Sequence, residues 1–432
     1  MPYVPKKKNV IPTIIIVIVI FVLITITSIS FISQMISTPN EEHKFLLYDF
    51  DEETTIALLE EKHKDVIVIR DHFYYGESLN LFTNDYDVDY KDELAGKTII
   101  LKNLLNDHKI SMTLENTIDS RLLVEELEEG FYQLYIIDDL QEKRLVYDES
   151  VDDVFHSVVR NDKVLEVRLL ASNELLKDYD LILDHNYMYL DVKKVEPKAD
   201  EIDVLIDPYG MNLDFTYLPD LGYQSHGLIE NDEMYEAALL LKEDLQAYGL
   251  RVAISKKSKD EVGKTYGEEG HLQIGYDQKA KYYLFLRFNT HGSSLYQGLE
   301  LAKSAYASNT LARTILYHVK QNTTSSISPM YHGNDAGIYP SLLVEGTLDQ
   351  KRIYDENLYI RESGGRATLA GKYSQLAKEE NGHFASLNGM YGIKVGFIYV
   401  SNEDDANYWK KNKEQLIQAI ADGFALGIGL RE

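Results

Sequence analysis

Cysteine is absent from the 432 residues of this chain. Its absence excludes a disulfide framework, a zinc site built from thiolates and a catalytic cysteine nucleophile. Any zinc ion that the chain binds must therefore be held by histidine, aspartate or glutamate side chains.

Positive charge is also scarce, because 44 Lys and Arg residues stand against 70 Asp and Glu residues, which gives a formal net charge of -26. A nucleic-acid backbone is bound by clustered Lys and Arg, so this balance argues against a nucleic-acid partner. Hydrophobic residues make up 44% of the chain, which is ample for sizeable cores. Length and composition thus predict two or three folded domains with a soluble, acidic surface.

One apolar run stands out near the N-terminus. VIPTIIIVIVIFVLITITSISFIS (residues 10–33) is of the length that spans a bilayer as a helix. Lys6, Lys7 and Lys8 precede it, so the positive-inside rule places residues 1–9 in the cytoplasm and the bulk of the chain outside. No small-residue cleavage site follows the run, which favours a retained single-pass anchor in the cell membrane over a removed signal peptide.

Residues 41–198 carry short apolar or alternating runs separated by Gly, Asp and Asn, a pattern typical of strands. The pattern predicts a β-rich, sandwich-like extracytoplasmic module. A plain spacer or interaction module is favoured over specific carbohydrate binding, because such strands are generic. Residues 195–201, which include Pro197, are predicted to be a linker. The predicted strands are DVIVIR (65–70), KTIILKNL (97–104), KISMTLE (109–115), GFYQLYII (130–137), KVLEVRLL (163–170) and YMYLDVKKV (187–195).

From residue 202 onward, strands alternate with helical patterns, which predicts an α/β domain with a mostly parallel sheet over residues 202–432. The helix predicted over 232–248 has its apolar residues on one face, and Gly249 is a natural stop. Further strands are predicted at 204–206, 251–254 and 282–288, and further helices at 302–319 and 408–425.

Several motifs follow one another in this second half. They are IDP (206–208), GLIEND (227–232), LKEDLQAYGLRV (241–252), YLFLRFNTHGSS (283–294), GLEL (298–301), SNTLA (308–312), LYIRE (358–362) and MYGIKVGFIYVSNEDD (390–405). In this order they resemble the N-acetylmuramoyl-L-alanine amidases of bacterial cell-wall hydrolysis, of the zinc-dependent amidase-3 type. The resemblance covers residues 202–429 and implies an amidase-like fold and a peptidoglycan substrate.

In that family two His and one Glu hold a zinc ion, and a second Glu is the general base. Three ligands leave one position open, where metal-activated water attacks the amide carbonyl between muramic acid and L-alanine. The resemblance implies that Glu230, at the start of the predicted helix, corresponds to the Glu ligand. A structural role for Glu230 at a helix N-terminus needs no metal, because the helix dipole alone favours a carboxylate there.

The other three functional positions differ from the family's pattern. Tyr209, Gly210 and Met211 stand where the first His is expected, directly after the IDP strand. An ungapped match puts Asn289 at the second His, and the Ser-Asn pair at 401–402 places Gly396 at the general base. The resemblance therefore implies a degenerate domain, and it leaves open whether the domain is an enzyme.

Two histidines offer a rebuilt metal site. His226 lies about one helical turn before Glu230, and His291 lies two residues beyond Asn289. Two imidazoles and one carboxylate form a legitimate catalytic zinc set, but loop histidines are more often solvated. Glu345, at the end of the apolar run PSLLVE, is a weaker candidate for a displaced base, because it lies well before the Ser-Asn pair.

The segment RESGGRATLAG (361–371) has two adjacent glycines between Arg361 and Arg366. Backbone amides at such glycines can approach an anion, and either Arg is a candidate for binding a peptide or glycan carboxylate. A solvent-exposed insertion is the simpler interpretation.

The sequence thus predicts a membrane-anchored, extracytoplasmic cell-wall protein. Its amidase-like domain is expected to bind peptidoglycan or a wall-hydrolysis protein without cleaving it, and with no cofactor. One alternative is an active zinc amidase that cleaves the muramoyl-L-alanine bond with a rearranged site. The other is a structural scaffold of an envelope complex.

Overall fold

The computed structural model describes residues 44–84, 92–106, 108–114, 121–179, 181–213, 217–265, 269–293, 295–304, 307–329, 335–341, 343–345, 352–355 and 388–431. The predicted tail (1–9), the predicted membrane helix (10–33), Arg361 and Arg366 lie outside these residues. Within the described ranges, no helix is long and apolar enough to cross a membrane. The described residues divide into two compact units, one from the ranges 58–174 and 183–432 and the other from the ranges 1–57 and 175–182.

Polar contacts occur both between and within the two segments of the smaller unit. The Tyr179 hydroxyl donates a hydrogen bond to the Phe45 carbonyl. Near the start of helix α1 (Glu52–Leu59), Glu52 forms an ion pair with Lys44 at 2.8 Å. Acidic residues in the first turn of α1 also suit the positive end of the helix dipole.

The first half of the larger unit is β-rich, as predicted. Its strands are β1 (Val66–Ile69), β2 (Asp71–Tyr75), β3 (Ser78–Phe82), β4 (Thr98–Asn103), β5 (Lys109–Thr113), β6 (Arg121–Leu123), β7 (Gly130–Asp138), β8 (Gln141–Tyr147), β9 (Asp152–His156), β10 (Val164–Ala171) and β11 (Met188–Val195), with a short helix α2 (Ser172–Leu175). An eight-stranded sheet has the order β1-β8-β7-β11-β10-β9, with β4 paired to β7 and β5 paired to β4. It is mixed, because β1 runs parallel to β8 while the other pairs are antiparallel.

A smaller sheet, in which β3 pairs with β2 and β6, packs on the eight-stranded one. Leu79 and Tyr74 of the smaller sheet share a hydrophobic core with Leu134 and Val167 of the larger sheet. The Tyr74 ring stacks on the Phe155 ring, with 4.5 Å between centroids. The smaller sheet thus covers one face of the eight-stranded sheet, which is what the alternating pattern of strands such as β4 requires.

The second half of the larger unit is an α/β domain. Its elements are β12 (Val204–Pro208), β13 (Gln224–Ser225), β14 (Leu228–Ile229), α3 (Glu230–Ala247), β15 (Val252–Ile254), α4 (His271–Asp277), β16 (Tyr282–Asn289), β17 (Glu300–Ser304), α5 (Thr310–Asn322), β18 (Ile338–Ser341), β19 (Leu343–Glu345), β20 (Arg352–Asp355), β21 (Asn388–Gly389), β22 (Tyr391–Tyr399) and α6 (Glu403–Gly427). The main sheet has the order β15-β12-β16-β22-β17-β18. Strands β15, β12, β16 and β22 are parallel, and β17 is antiparallel to β22.

The positions of the helices are explained by their apolar faces and their capping residues. On α3, buried Met234, Leu241 and Leu245 recur at helical spacing and pack into the core of the main sheet. At the start of α6, the Asn402 side chain accepts hydrogen bonds from the backbone N–H groups of Asp404 and Asp405, a standard N-cap. The sequence therefore positions the start of α6 directly after strand β22.

The helix predicted over 302–319 is wrong at its start. Residues 300–304 form β17, and the helix α5 begins only at Thr310. Alternation explains the strand, because Leu299 and Leu301 enter the core on one face while Glu300 lies on the other. The apolar residues that suggest a helix are thus shared between two elements.

The β-rich module and the α/β domain are joined by more than their connecting segment. Strand β21 pairs in parallel with β2, so that Asn388 lies opposite Tyr74 and Gly389 lies opposite Tyr75. Phe73 and Tyr75 of β2 belong to the same hydrophobic core as the main sheet. The β-rich module is therefore packed against the α/β domain.

Candidate functional site

The candidate site lies at the carboxyl ends of the parallel strands β12, β16 and β22. In-register residues of neighbouring strands point to the same face of a sheet. Arg287, Gly396 and Glu300 form one such row across β16, β22 and β17. Phe285 and Lys394 form the next row. Helix α3 begins beside these strand ends, as ligand sites of open α/β sheets require.

Glu230 is the first residue of α3, and its carboxylate is completely buried. Oε1 accepts a hydrogen bond from the Phe288 backbone N–H, and Oε2 accepts one from the Tyr223 backbone N–H, each at 2.7 Å. The Arg287 guanidinium donates from Nε to Oε1 at 3.2 Å and from Nη2 to Oε2 at 3.5 Å. Both carboxylate oxygens are thus engaged by two backbone amides and one guanidinium.

Aromatic rings hold the Arg287 guanidinium in place. Its central carbon lies 3.6 Å from the ring centroid of Tyr209, 5.3 Å from that of Tyr223 and 6.0 Å from that of Phe285. A planar guanidinium over an aromatic face gains cation–π attraction as well as its hydrogen bonds. Tyr209 is one of the three residues at the position expected for the first His, and its ring contacts a cation that the protein itself supplies.

The turn after β12 leaves no room for a metal-binding side chain at Gly210. Its φ angle is +130°, and a Cβ atom built there lies 2.2 Å from Oδ1 of Asn231. Met211 also has a positive φ, of 53°. A histidine at position 210 therefore requires Asn231 to move and the backbone to change.

At Gly396, the position expected for the general base, a neighbouring asparagine side chain also fills the available space. Asn289 is buried, and its Nδ2 donates a hydrogen bond to the Gly396 carbonyl at 3.3 Å. A Cβ atom at Gly396 lies 2.2 Å from this same Nδ2. Asn289 thus fills the space into which a side chain at position 396 projects.

The two candidate histidines lie elsewhere. His226 is exposed in the turn between β13 and β14, with a φ of 49°, and its carbonyl accepts a hydrogen bond from Nζ of Lys410. His291 is exposed as well, and its ring packs on Tyr296 with 3.6 Å between centroids. Ser293 donates its backbone N–H to Nδ1 of His291 at 3.0 Å.

Glu345, the weaker candidate for a displaced base, ends strand β19. Strand β19 pairs with β20 and is not part of the main sheet. The backbone thus places Glu345 in a two-stranded sheet of its own, apart from the strand order β15-β12-β16-β22-β17-β18.

The residues at the site do not fit a zinc ion. A catalytic zinc needs three ligands and an open position, but Glu230 is held by Arg287 and two amides. His226 and His291 do not gather with it, and no group of three His, Asp or Glu side chains able to hold a metal occurs in the described part of the chain. The arrangement places a fixed guanidinium beside the one remaining acidic ligand candidate.

A second cation, Lys394, lies near Arg287 on the same face of the sheet. Burial lowers the pKa of Lys394, and the positive charge of Arg287 lowers it further, whereas Glu300 and Glu230 act in the opposite direction. Glu300 accepts hydrogen bonds from the Tyr399 hydroxyl at 2.7 Å and the Ser328 hydroxyl at 3.0 Å. In the described part of the chain, no ion pair joins Lys394 to either glutamate.

Beneath the site, a buried network fixes strand β12. Asp207 accepts hydrogen bonds from the hydroxyls of Ser255 at 2.5 Å and Tyr283 at 2.7 Å and from Nδ1 of His271 at 3.0 Å. Burial raises the pKa of Asp207, but His271, Lys256 and the hydrogen bond from Ser255 outweigh it, so the pKa lies below its ordinary value. All members of this network are buried.

Sequence reasoning missed Arg287 and Lys394. A signal for Arg287 was present, because Leu284, Leu286 and Phe288 face the core on one side of β16, and on the other side the charged Arg287 follows Tyr283 and Phe285. A charged residue in a central, buried strand is rarely there without a partner. The sequence pattern does not indicate that Arg287 pairs with Glu230.

Comparison with known proteins identifies the class of this domain. Residues 218–426 match the sequence profile of the family described as N-acetylmuramoyl-L-alanine amidase. The chain therefore carries an amidase-3 type domain of that family, as its motif order implies. No curated protein matches the chain.

The solved structures to which this chain is similar include three amidases. Ami1 from Mycobacterium smegmatis is 14% identical with a TM-score of 0.37, covering 53% of this chain and 97% of that one. The catalytic domain of CwlV from Bacillus (Paenibacillus) polymyxa var. colistinus is 16% identical with a TM-score of 0.36, covering 53% of this chain and 99% of that one. The CwlD amidase from Clostridioides difficile, in complex with the GerS lipoprotein, is 14% identical with a TM-score of 0.34, covering 53% of this chain and 97% of that one.

Proposed function

We propose that the amidase-like domain is a pseudoenzyme that binds cell-wall material or a wall-hydrolysis protein without cleaving the muramoyl-L-alanine bond. One observation carries the proposal, the Arg287 guanidinium held between the Glu230 carboxylate and the Tyr209 ring. In this family the corresponding Glu is a metal ligand. Here its charge is balanced by a cation that belongs to the protein.

The chemistry of arginine supports the loss of catalysis. A guanidinium stays protonated in proteins and has no open coordination position, so it does not generate a hydroxide nucleophile from water. Gly396 has no side chain to accept a proton, and the Asn289 amide that fills its place is not a base. Cleavage of an amide therefore lacks both an activated nucleophile and a general base among these residues.

The apolar run over residues 10–33, preceded by Lys6, Lys7 and Lys8, supports the proposed location. In this proposal the run is a single-pass anchor in the cell membrane, and residues 41–432 lie outside the cytoplasm, where the wall is accessible. Peptidoglycan or a partner in wall hydrolysis is the class of ligand that this placement favours.

Co-sedimentation with purified, insoluble peptidoglycan tests the proposal, combined with an assay for released stem peptides. The full chain is expected to sediment with the wall and to release no peptide, with or without a zinc chelator. Release of stem peptides that the chelator abolishes contradicts the proposal and favours an active amidase. Failure to sediment, together with retention of an envelope protein that takes no part in wall hydrolysis, contradicts the proposal and favours a scaffold.

A further inference from the structure

Lys394 is a half-buried cation on the same face of the main sheet as Arg287. Its neighbours in register are Phe285 on β16 and Ala302 on β17, so the side chains on both flanking strands are apolar. In the described part of the chain, the Lys394 ammonium group forms neither a hydrogen bond nor an ion pair. Charges taken out of water in proteins are normally paired, so an anionic ligand would complete the interactions of this ammonium group.

The two carboxylates whose charges act on Lys394 are held by other groups. Glu230 accepts hydrogen bonds from a guanidinium and two backbone amides. Glu300 lies in the adjacent row on β17 and accepts hydrogen bonds from the hydroxyls of Tyr399 at 2.7 Å and Ser328 at 3.0 Å. Each carboxylate thus has its own donors, and neither accepts a hydrogen bond from Lys394 among the residues that the structure describes.

Electrostatics at Lys394 favour an incoming anion. Burial lowers the pKa of the ammonium group, and the positive charge of Arg287 lowers it further, whereas Glu300 and Glu230 act in the opposite direction. The two glutamates therefore offset only part of the free energy that burial of this charge costs. A ligand carboxylate supplies further negative charge and accepts a charge-assisted hydrogen bond.

The surroundings of Lys394 suit a carboxylate that is attached to a small apolar group. Arg287 is engaged by Glu230 through two of its nitrogens, so Lys394 contributes a single positive charge, which matches the single negative charge of a carboxylate. The centroid of the Tyr223 ring lies 5.3 Å from the guanidinium carbon of Arg287, and 39% of Tyr223 is exposed. An accessible aromatic ring at this place can pack against the apolar part of a peptide.

We propose that Lys394 binds a carboxylate of the peptide stems of the cell wall. The ammonium group pairs with the carboxylate, and a small apolar side chain of the stem packs on the Tyr223 ring. This inference rests on the proposed function, because it names the chemical group of the wall that the domain recognises without cleaving it. A protein with a net charge of -26 is repelled by other anions, so binding of a carboxylate requires a specific cation such as Lys394.

Chemical blocking of the wall carboxylates tests the inference. One portion of purified, insoluble peptidoglycan is treated with a carbodiimide and methylamine, which converts its carboxylates into neutral amides, and a second portion receives methylamine alone. The full chain in detergent is expected to bind the blocked wall at least about tenfold more weakly than the unblocked wall, since a charge-assisted pair is lost. Equal co-sedimentation with both walls overturns the carboxylate assignment but leaves wall binding in place. Co-sedimentation with neither wall contradicts both proposals.

Two matched variants assign the preference to Lys394. Lys394→Met removes the ammonium group, keeps most of the side-chain volume and breaks no hydrogen bond, so it is expected to fold and to bind both walls equally weakly. Lys320→Met removes the same charge from an exposed position in the last turn of α5 and should keep the preference for the unblocked wall. A full preference in Lys394→Met, or a lost preference in Lys320→Met, contradicts the site.

A second measurement uses the unmodified chain and reads Lys394 directly. The rate at which acetic anhydride acetylates this lysine is followed by mass spectrometry of proteolytic peptides, in the presence of soluble wall fragments whose carboxylates are free or blocked. Free carboxylates should slow acetylation of Lys394 at least about twofold relative to blocked ones, because a paired ammonium group stays protonated. Lys320 should react at the same rate with both fragments. Equal rates at Lys394 overturn the proposal, whether or not the variants fold.

Discussion

Removal of the Arg287 guanidinium is the perturbation that the site geometry predicts most specifically. Arg287→Met keeps most of the side-chain volume but leaves the fully buried Glu230 carboxylate with two backbone donors and no cation. Breaking a buried ion pair from one side costs about 3 to 5 kcal/mol. Because both amides remain at 2.7 Å, we expect a loss of about 3 kcal/mol in the free energy of unfolding, at the lower end of that range.

The chain contains its own probe for this measurement. Trp409 is the single tryptophan, is completely buried and lies edge-on to Phe288 with 5.3 Å between centroids. Its fluorescence during unfolding in guanidinium chloride therefore reports on the strand that carries Arg287. The double variant Glu230→Gln/Arg287→Met is expected to lose less than the sum of the single variants, by about 2 kcal/mol.

Arg313→Met provides a matched control for the substitution. Arg313 is half exposed and pairs with Asp335 at 2.7 Å, and such surface pairs contribute less than about 1 kcal/mol. If Arg287→Met destabilises the protein no more than Arg313→Met does, or if the two single effects at Glu230 and Arg287 simply add, the pair does not organise the site and the reasoning is refuted.

Three further predictions concern other parts of the larger unit. Burial lowers the pKa of Lys281 from 10.5 to about 8. Between these pH values the unfolded chain binds more protons than the folded chain, so the free energy of unfolding increases with pH. We expect an increase of about 2 kcal/mol from about pH 7 to about pH 9.5. Lys281→Met should remove this rise in equilibrium unfolding, and an unchanged pH dependence contradicts the assignment. Gly396→Ala should destabilise the domain by about 1 to 3 kcal/mol, because its Cβ meets Asn289, and Asn289→Ala should relieve the loss in thermal unfolding. Gly76→Ala should lower the free energy of unfolding by about 1 to 2 kcal/mol, because φ is +60° and the new Cβ lies 3.1 Å from Cβ of Tyr391. Calorimetry of this variant should still show one unfolding transition, because β2 pairs with β21. Two separate transitions would contradict this coupling of the β-rich module to the α/β domain.

The sequence predicted the α/β domain well because its strands and helices have different periods. Helix α3 spans Glu230–Ala247 against a prediction of 232–248, and the central strand spans Tyr282–Asn289 against 282–288. In the β-rich module, the alternating runs at β4 and β10 were found within a residue or two. Strands β2 and β3 were missed. Every residue in them is buried, and DHFYY (β2) shows no alternation, whereas the polar-apolar alternation of SLNLF (β3) was a signal that was overlooked.

The candidate site was only partly predictable. The motif order led to Glu230, whose place at the start of α3 follows from sequence alone. The contact with Arg287 joins residues 57 positions apart, and neither periodicity nor spacing indicates it. In the sequence, Gly210 and Gly396 suggest only that functional side chains are missing. In the structure, the side chains of Asn231 and Asn289 occupy the space that a side chain at these positions requires. Such compensation depends on packing between separate elements, which a linear pattern does not contain.

Zinc content of the purified full chain, measured by elemental analysis after dialysis against a zinc buffer, tests the central claim most directly. The account predicts far less than one zinc ion per chain, with the same value in Glu230→Ala and His291→Ala variants, because Arg287 holds the carboxylate that the metal requires. One zinc ion per chain that disappears in the Glu230→Ala variant contradicts the account.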